Sequence, residues 1–223
     1  MPQVYVVVEG ETEESFVKNV LAEGLWQRDV FLKPIILGVP GHKGGRTNYA
    51  RVRKDVLALL KQDHSAYCST MLDFYGLEHG FPGTPAPAQL PSAEKVALLE
   101  QAMKADICGQ IPGLRPDLRF LPYLQMHEYE GLLFSDPDAF ANGIRQPSSA
   151  QAFQSIRDAF ATPEEINNDP NTAPSKRVLQ IYPSYRKVID GTLAARSVGV
   201  DRMRRECPHF RAWIERLESL PRR

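Results

Sequence analysis

The segment VYVVV at residues 4 to 8 constrains the fold of this chain more than any other feature. Its residues are β-branched or aromatic without polar alternation, which is typical of a strand buried on both faces of a parallel sheet. An acidic segment, EGETEESF, follows and is predicted to lead into a helix from Glu11 to about Arg28. A buried strand that feeds directly into a helix indicates an α/β fold.

Three more strands are predicted, and helices separate them along the chain. The strands are FLKPIILG at 31–38, CSTMLDFYG at 68–76 and RFLPYLQ at 119–125. Asn48 is predicted to cap one intervening helix, and Ser92 to begin another that reaches about Cys108. A helical turn is expected at 128–134. The pattern predicts an α/β core at residues 1–137, with a parallel sheet of about four strands flanked by helices.

The strand signal disappears after residue 137, and a helical region over 138–223 is predicted to pack on the core. Helices are expected at 152–160, 175–189 and 207–220. From Pro174 onward the chain has twelve Lys or Arg and five Asp or Glu, although the whole chain has 27 of each class. A basic region suits a polyanion such as nucleic acid. A solvated helical surface is the alternative reading.

The cysteines and the hydropathy exclude several protein classes. Cys68, Cys108 and Cys207 are odd in number and form no CxxC motif, which argues against a disulfide framework and a structural zinc site. Cys68 and Cys108 are expected to be buried. A catalytic pair of Cys207 and His209 is rejected, because the apolar spacing that follows fits a packed helix. No apolar run approaches a membrane span or a signal peptide, so no membrane partner and a cytoplasmic location are expected.

Acidic residues follow three of the predicted strands. Glu9 ends the first, Asp73 ends the third, and Glu128 and Glu130 follow the fourth. In an open α/β sheet, ligands bind beyond the carboxyl ends of the strands, so these acids are predicted to share one edge. Clustered carboxylates with open positions suit Mg²⁺ or Mn²⁺. Glu9, Asp73, Glu128 and Glu130 are therefore the candidate metal ligands.

The other acids near the first strand are read differently. Glu13 lies four residues after Glu9, where it would contact a metal ion or the dipole of the first helix. Glu11 and Glu14 are predicted only to complement that dipole. The candidate catalytic residues are therefore the acids Glu9, Glu13, Asp73 and Glu128, together with Lys176 from the basic segment PSKR.

Basic residues provide candidate phosphate contacts in three places. A glycine-rich loop, PGHKGGR, lacks the Walker A pattern, and an exposed loop is its alternative reading. The segment PSKR is predicted to begin a helix capped by Ser175. His127 precedes two acids and would bind phosphate, bind metal or have a structural role. The candidates are His42, Lys43, Arg46, His127, Lys176 and Arg177.

The stretch VEGETE resembles the VEGxTE signature of Toprim domains, especially those of the overcoming-lysogenization-defect nucleases. The resemblance implies that Glu9 and Glu13 are the acids of the first motif, around Mg²⁺. Asp73 matches the first acid of the later DxD motif, and Tyr75 stands where the second Asp is expected. Glu78, Glu128 or Glu130 would then replace the missing ligand.

Five blocks in order extend the resemblance over nearly the whole chain: VEGETEESFV, LDFYGL…FPG, HEYEGLLFSDP, PSKR and CPHFRAWIERLESL. They are similar to a bacterial Toprim-like family, the domain of unknown function 4276. That resemblance implies an ATPase partner and a role in phage or plasmid defence.

The acids and the resemblance together predict a Mg²⁺- or Mn²⁺-dependent nuclease. Glu9 and Asp73 would hold the metal, Lys176 would neutralise phosphate charge, and water would attack the phosphodiester. Two alternatives stay open. One is a non-catalytic nucleic-acid-binding or ATPase-coupling subunit, and the other is a hydrolase of small phosphate esters.

Overall fold

The structure is a computed structural model and describes residues 1–38, 47–78, 80–167 and 172–221. These residues contain a parallel sheet with the order β2-β1-β3-β4, in which β5 also pairs with β3. Its strands are β1 (Gln3–Val8), β2 (Phe31–Ile36), β3 (Tyr67–Asp73), β4 (Phe120–Leu121) and β5 (Leu124–Gln125). The predicted α/β class with a parallel sheet is confirmed.

Helices pack on both faces of this sheet and dominate the C-terminal half. They are α1 (Glu11–Phe16), α2 (Ala22–Trp26), α3 (Tyr49–Gln62), α4 (Ser92–Gln110), α5 (Pro116–Arg119), α6 (Pro137–Gly143), α7 (Ala150–Asp158), α8 (Pro174–Ile181), α9 (Lys187–Val198), α10 (Val200–Glu206) and α11 (Pro208–Glu218). A π-helical turn, Val17–Leu21, joins α1 to α2, and a 3₁₀ segment, Tyr129–Ser135, forms the predicted turn after β5.

Two apolar clusters lie on opposite faces of the sheet, because side chains alternate along a strand. Val4, Val6 and Val8 of β1 face the cluster that contains Phe16 and the buried Trp213 of α11. Val7 faces the cluster built with α3 and α4. The C-terminal helices therefore share one core with β1 and α1. The division at residue 137 stays a prediction.

Prolines explain two differences from the predicted elements. The fourth strand, predicted over 119–125, is two short strands separated by Pro122 and Tyr123. The helix predicted over 175–189 is wrong, since α8 ends at Ile181 and α9 begins at Lys187. Pro183 lies in the break, and a proline in a helix interior lacks the N–H donor and clashes with the preceding turn.

The predicted caps and cysteines have mixed outcomes. Asn48 caps α3, since its side chain accepts from the Ala50 N–H at 2.9 Å. The cap predicted at Ser175 is wrong, because α8 begins one residue earlier and Ala173 is its N-cap. All three cysteines are free, and Cys68 is buried, but Cys108 is partly exposed rather than buried.

No helix in the described part of the chain combines the length and apolarity needed to cross a bilayer.

Candidate functional site

The carboxyl ends of β1 and β3 bring Glu9 and Asp73 into contact. Val8 pairs with Met71 in the parallel register, so Glu9 leaves β1 beside the last residues of β3. The Asp73 backbone N–H donates to Glu9 Oε1 at 3.0 Å, and the Thr47 side chain also hydrogen-bonds Glu9. Burial raises the pKa of Glu9, although these hydrogen bonds and the charge of Lys187 act against that rise.

Gly76 lies directly against this carboxylate. A Cβ atom at Gly76 would be 3.3 Å from Glu9 Oε2 and 3.5 Å from Oε1. The absence of a side chain at this position therefore leaves room for the carboxylate in its observed orientation.

Glu13 occupies the first turn of α1 and turns back toward the end of β1. Its Oε2 accepts from the Gly10 N–H at 3.0 Å, and the residue is only 8% exposed. Burial raises the pKa of Glu13 to about 7, and the negative charge of Glu9 adds to the rise against two opposing backbone hydrogen bonds. Glu11 and Glu14 lie in the same first turn, where Glu11 is exposed and Glu14 partly exposed, and their role at the helix dipole stays a prediction.

Asp73 links the end of β1 to the segment after β5. Its Oδ1 accepts from the Tyr129 N–H at 3.1 Å. Burial raises the pKa of Asp73 well above its ordinary value, and the negative charges of four other carboxylates add to the rise: Glu13, Glu9, Glu130 and Glu128. These five acids therefore form one electrostatic group, called here the carboxylate cluster.

Glu128 and Glu130 enter the cluster by different contacts. Glu128 has extended backbone and its Oε2 accepts from the Ser175 N–H at 2.9 Å, at the beginning of α8. Glu130 lies in the 3₁₀ segment, is 1% exposed, and its Oε1 is 3.2 Å from Lys187 Nζ. Burial raises the pKa of Glu130 to about 7 despite this ion pair.

Lys187 is the ammonium that the structure brings among these acids, and the sequence reasoning missed it. Burial alone lowers its pKa, but the charges of Glu130, Glu128 and Asp73 outweigh that effect and raise it. Lys187 is also the first residue of α9, where the helix dipole disfavours a cation. A lysine at the start of a helix suggests that an acid lies nearby. The sequence places Lys187 at a helix start only if the break at Pro183 is recognised.

The predicted basic residues lie in different places. Lys176 is exposed on α8, and Arg177 donates through Nε to the Thr172 carbonyl at 2.7 Å. His127 is buried, has φ 61°, and its Nδ1 has no hydrogen-bond partner within the described parts of the chain. His42, Lys43 and Arg46 lie outside the described residues.

Tyr75 and Glu78 occupy the region of the missing DxD acid. The Tyr75 N–H donates to the His127 carbonyl at 3.2 Å, and the residue is 39% exposed. Glu78 Oε2 accepts from Asn48 Nδ2 at 2.9 Å. Tyr75 therefore links the end of β3 to residues 127–130, called here the HEYE segment, and Glu78 is held at the start of α3.

The donor set fits a hard divalent cation in its chemistry. Carboxylate oxygens are the ligands that Mg²⁺ and Mn²⁺ prefer. Burial raises the pKa values of Glu9, Glu13, Asp73 and Glu130, and repulsion from other carboxylates adds to the rise in the last three. Backbone N–H groups hold one oxygen each of Glu9, Glu13, Asp73 and Glu128. Over the described ranges, no three acidic, His or Cys side chains are arranged to hold a metal ion. The side chains would have to close on the cation.

Comparisons with known proteins give one match. Searches of curated proteins and of solved structures return no significant similarity. A family model, Domain of unknown function (DUF4276), matches residues 8–218, which include every member of the carboxylate cluster and Lys187. The chain therefore belongs to the family DUF4276.

Proposed function

We propose that this protein is a cytoplasmic Mg²⁺- or Mn²⁺-dependent nuclease of the Toprim type, which hydrolyses phosphodiester bonds at the carboxylate cluster. The observation that carries the proposal is the meeting of five carboxylates and one ammonium at the carboxyl edge of a parallel sheet. Ligands of open α/β sheets bind at that edge. A purely structural cluster of this kind has no evident benefit, because buried like charges disfavour the folded state.

The residues divide into two roles. Glu9 and Asp73, with Glu128 or Glu130, would hold the cation through their carboxylate oxygens, and Glu13 would complete the negative charge around it. Lys187, whose side chain is 44% exposed and paired with the buried Glu130, would contact the phosphate as it approaches the cluster. A bound Mg²⁺ or Mn²⁺ would neutralise charge on the phosphoryl group and promote ionisation of an attacking water.

A cleavage assay tests the proposal. Wild type, Glu9→Gln and Glu11→Gln are incubated with single-stranded and supercoiled DNA, with RNA and with mononucleotides, in Mg²⁺, Mn²⁺ or EDTA. The glutamine at position 9 keeps an oxygen that can accept from the Asp73 N–H, so the fold is expected to survive. Glu11 is exposed in the same helical turn and is the matched control.

The expected result is metal-dependent cleavage of a polynucleotide by wild type and Glu11→Gln, with a loss of at least about a hundredfold in Glu9→Gln. Equal cleavage by all three proteins would remove the cluster from the mechanism. Cleavage of mononucleotide esters alone would replace the nuclease with a small phosphate-ester hydrolase.

A second candidate is a non-catalytic subunit that binds nucleic acid. Two observations favour it: Tyr75 stands at the position of the second motif acid, and the acids are not arranged as a complete ligand set within the described residues. This candidate predicts nucleic-acid binding that Glu9→Gln leaves unchanged, with no hydrolysis under any divalent cation.

A further inference from the structure

A groove of about 920 Å³, called here the arginine groove, lies on the face of the sheet that carries the C-terminal helices. One wall is formed by the π-helical turn with α2, and the other by the end of α9 together with α10. Five arginines line it: Arg28, Arg196, Arg202, Arg204 and Arg205. The acidic residues of the lining are Glu23, Asp201 and Glu218, so positive charge is in excess.

The acids of the groove neutralise its arginines unevenly. Arg204 donates to both oxygens of Glu218, at 2.7 and 3.0 Å, and Arg28 lies 3.2 Å from the same carboxylate. One acid therefore faces two guanidinium groups, and the side chain of Arg28 is 55% exposed. Glu23 and Asp201 are exposed, so water and salt screen their charges.

Two other arginines of the groove have no acidic partner among the described residues. Arg196 is exposed and donates through Nε to the Asn19 carbonyl, at 3.3 Å. Arg205 is exposed and makes no hydrogen bond or ion pair within the described ranges. A guanidinium presents its donors in a planar fork that matches the geometry of a phosphate group. Arg196 and Arg205 therefore offer donors to an anion that enters the groove.

A seam of small polar side chains joins the arginine groove to the carboxylate cluster. It lies where α1 and its π-helical continuation pack against α9, which begins at the cluster with Lys187. The hydroxyl oxygens of Ser15 and Thr192 are 2.8 Å apart, and Asn19 Nδ2 donates to Ser15 Oγ at 2.9 Å. The contact of Arg196 with Asn19 comes next along both helices. The two helices therefore run in the same direction, from the cluster to the groove.

The length of this seam suits a short stretch of nucleic acid. Lys187 and Arg196 are separated by nine positions on α9, which is about 14 Å along a helix axis. Successive phosphates of one B-form strand rise by about 3.4 Å, so the distance corresponds to about four nucleotides. Hydroxyl and amide side chains such as those of the seam are common contacts for phosphates and sugars.

We propose that the arginine groove and the seam bind the phosphate backbone of a nucleic acid that extends away from the carboxylate cluster, with Arg28, Arg196 and Arg205 as phosphate contacts. The proposal rests on the proposed function for the identity of the polymer at the cluster. A polymer is required, because a mononucleotide at the cluster would not reach the groove. An ion-pair network that only joined the helices would pair every guanidinium with an acid, and Arg196 and Arg205 lack such a partner in the described ranges.

Removal of two positive charges tests the groove. The double variant Arg196→Gln/Arg205→Gln removes the two guanidinium groups that lack an acidic partner, and the fold is expected to survive because both residues are exposed. Lys54→Gln/Lys61→Gln is the matched control, since both lysines are exposed on α3, at the opposite face of the sheet.

Fluorescence anisotropy measures binding of the full chain in EDTA, over a range of salt concentrations. The probes are a DNA duplex and an RNA duplex, each of about twenty base pairs, and polyglutamate of the same net charge is the comparison polyanion. Thermal unfolding of both double variants checks that the fold is retained.

Wild type and the lysine control are expected to bind at least one duplex with similar affinity, and the arginine variant at least about tenfold more weakly. The slope of log affinity against log salt is expected to be shallower by about 2 in the arginine variant, because each lost phosphate contact removes about 0.9. Equal affinity and slope in the two double variants, or equally tight binding of polyglutamate by wild type, would overturn the proposal.

The result is separable from the nuclease test, because binding in EDTA requires no hydrolysis. Nucleic-acid binding that depends on Arg196 and Arg205, in a protein that cleaves nothing, would support the groove while the proposed activity fails. Metal-dependent cleavage together with equal duplex binding by the two double variants would remove the groove and leave the activity.

Discussion

Individual acids of the carboxylate cluster have raised pKa values, so their neutral form persists to a higher pH than usual. Burial raises the pKa of Glu13 and of Glu130 to about 7, so each holds a proton at mildly acidic pH in the folded protein that it would release on unfolding. The free energy of unfolding therefore falls as the pH rises from about 4.5 to about 7, where these acids ionise in the folded protein. Buried acids of this kind lower stability, as residues of functional sites commonly do, and this agrees with the proposed function.

Glu13→Gln is therefore expected to stabilise the metal-free protein at about pH 8 by about 1–2 kcal/mol, and to have a smaller effect at about pH 5. The amide keeps an oxygen for the Gly10 N–H but removes a buried charge that Glu9 repels. Urea unfolding in EDTA at both pH values measures the change.

The neighbouring Glu11→Gln is the control for Glu13→Gln, since Glu11 is exposed in the same turn. Destabilisation of Glu13→Gln at the higher pH would show that the Glu13 carboxylate contributes favourable contacts that outweigh its burial and repulsion.

Lys187→Met is expected to destabilise the metal-free protein at about pH 8 by about 1–2 kcal/mol, because the buried Glu130 then lacks its counter-charge. Near pH 5 Glu130 is protonated, so the loss is expected to be small. Denaturant unfolding at the two pH values checks this, with Lys176→Met as the control, because Lys176 is exposed on α8. A loss that is the same at both pH values would mean that packing, rather than charge, is affected.

The sequence predicts the acids of the cluster, but it does not predict Lys187, the ammonium that pairs with Glu130. Glu9 and Asp73 are predictable because each follows an apolar strand, and parallel strands end at one edge. Lys187 lies 57 residues after Glu130 along the chain, and nothing local in the sequence relates the two residues. The charge composition instead drew attention to Lys176, which is exposed.

At the scale of elements, the turn after β3 constrains the orientation of the Glu9 carboxylate, the first of the proposed ligands. The 3₁₀ segment Phe74–Gly76 brings Gly76 against the Glu9 carboxylate. Because Gly76 has no side chain, its backbone approaches the Glu9 carboxylate more closely than a residue with a Cβ atom would allow.

Gly76→Ala is therefore expected to weaken Mn²⁺ binding by at least about tenfold, a loss of about 1.4 kcal/mol of binding free energy, while changing stability less. The added Cβ would be 3.3 Å from Glu9 Oε2 and would displace it. Calorimetric titration with Mn²⁺ measures the affinity. Gly24→Ala, in α2 with nothing within 4 Å of its added Cβ, is the control. Unchanged Mn²⁺ affinity in Gly76→Ala would exclude Glu9 Oε2 as a ligand in its observed position.

The same scale shows why some elements were mispredicted. Apolar periodicity continues through SKRVLQIYPSYRKVI, so the pattern alone favours one helix, but Pro183 separates α8 from α9. This break matters for the site, because the first turn of α8 then contacts Glu128 through the Ser175 N–H, and the first residue of α9, Lys187, pairs with Glu130. Apolar periodicity predicts which residues are buried, but it does not predict where one helix ends and the next begins.

At the scale of the whole molecule, the cluster makes stability depend on pH, and under the proposed function it would also make stability depend on a divalent cation. Both Glu13 and Glu130 have folded-state pKa values raised from 4.5 to about 7, so in EDTA the free energy of unfolding is expected to fall as pH rises from about 4.5 to about 7. A divalent cation would reverse this loss, because it binds the ionised carboxylates of the folded state.

Thermal unfolding in EDTA and in millimolar Mn²⁺ at several pH values tests this coupling. The stabilisation by Mn²⁺ is expected to increase with pH through about 7 and to be absent in Glu9→Gln. Stabilisation that does not depend on pH, or that persists in Glu9→Gln, would indicate a cation bound elsewhere on the molecule.

Distant parts of the chain meet at the cluster. Glu9 follows β1, Asp73 ends β3, Glu130 lies in the HEYE segment and Lys187 begins α9. A crystal structure of the wild-type protein soaked in Mn²⁺, with anomalous data, tests the central claim most directly. The account predicts an anomalous peak with oxygens of Glu9 and Asp73 at about 2.1–2.3 Å and a third oxygen from Glu128 or Glu130. A peak only at other residues, or none with these carboxylates still held by their backbone N–H groups, would contradict it.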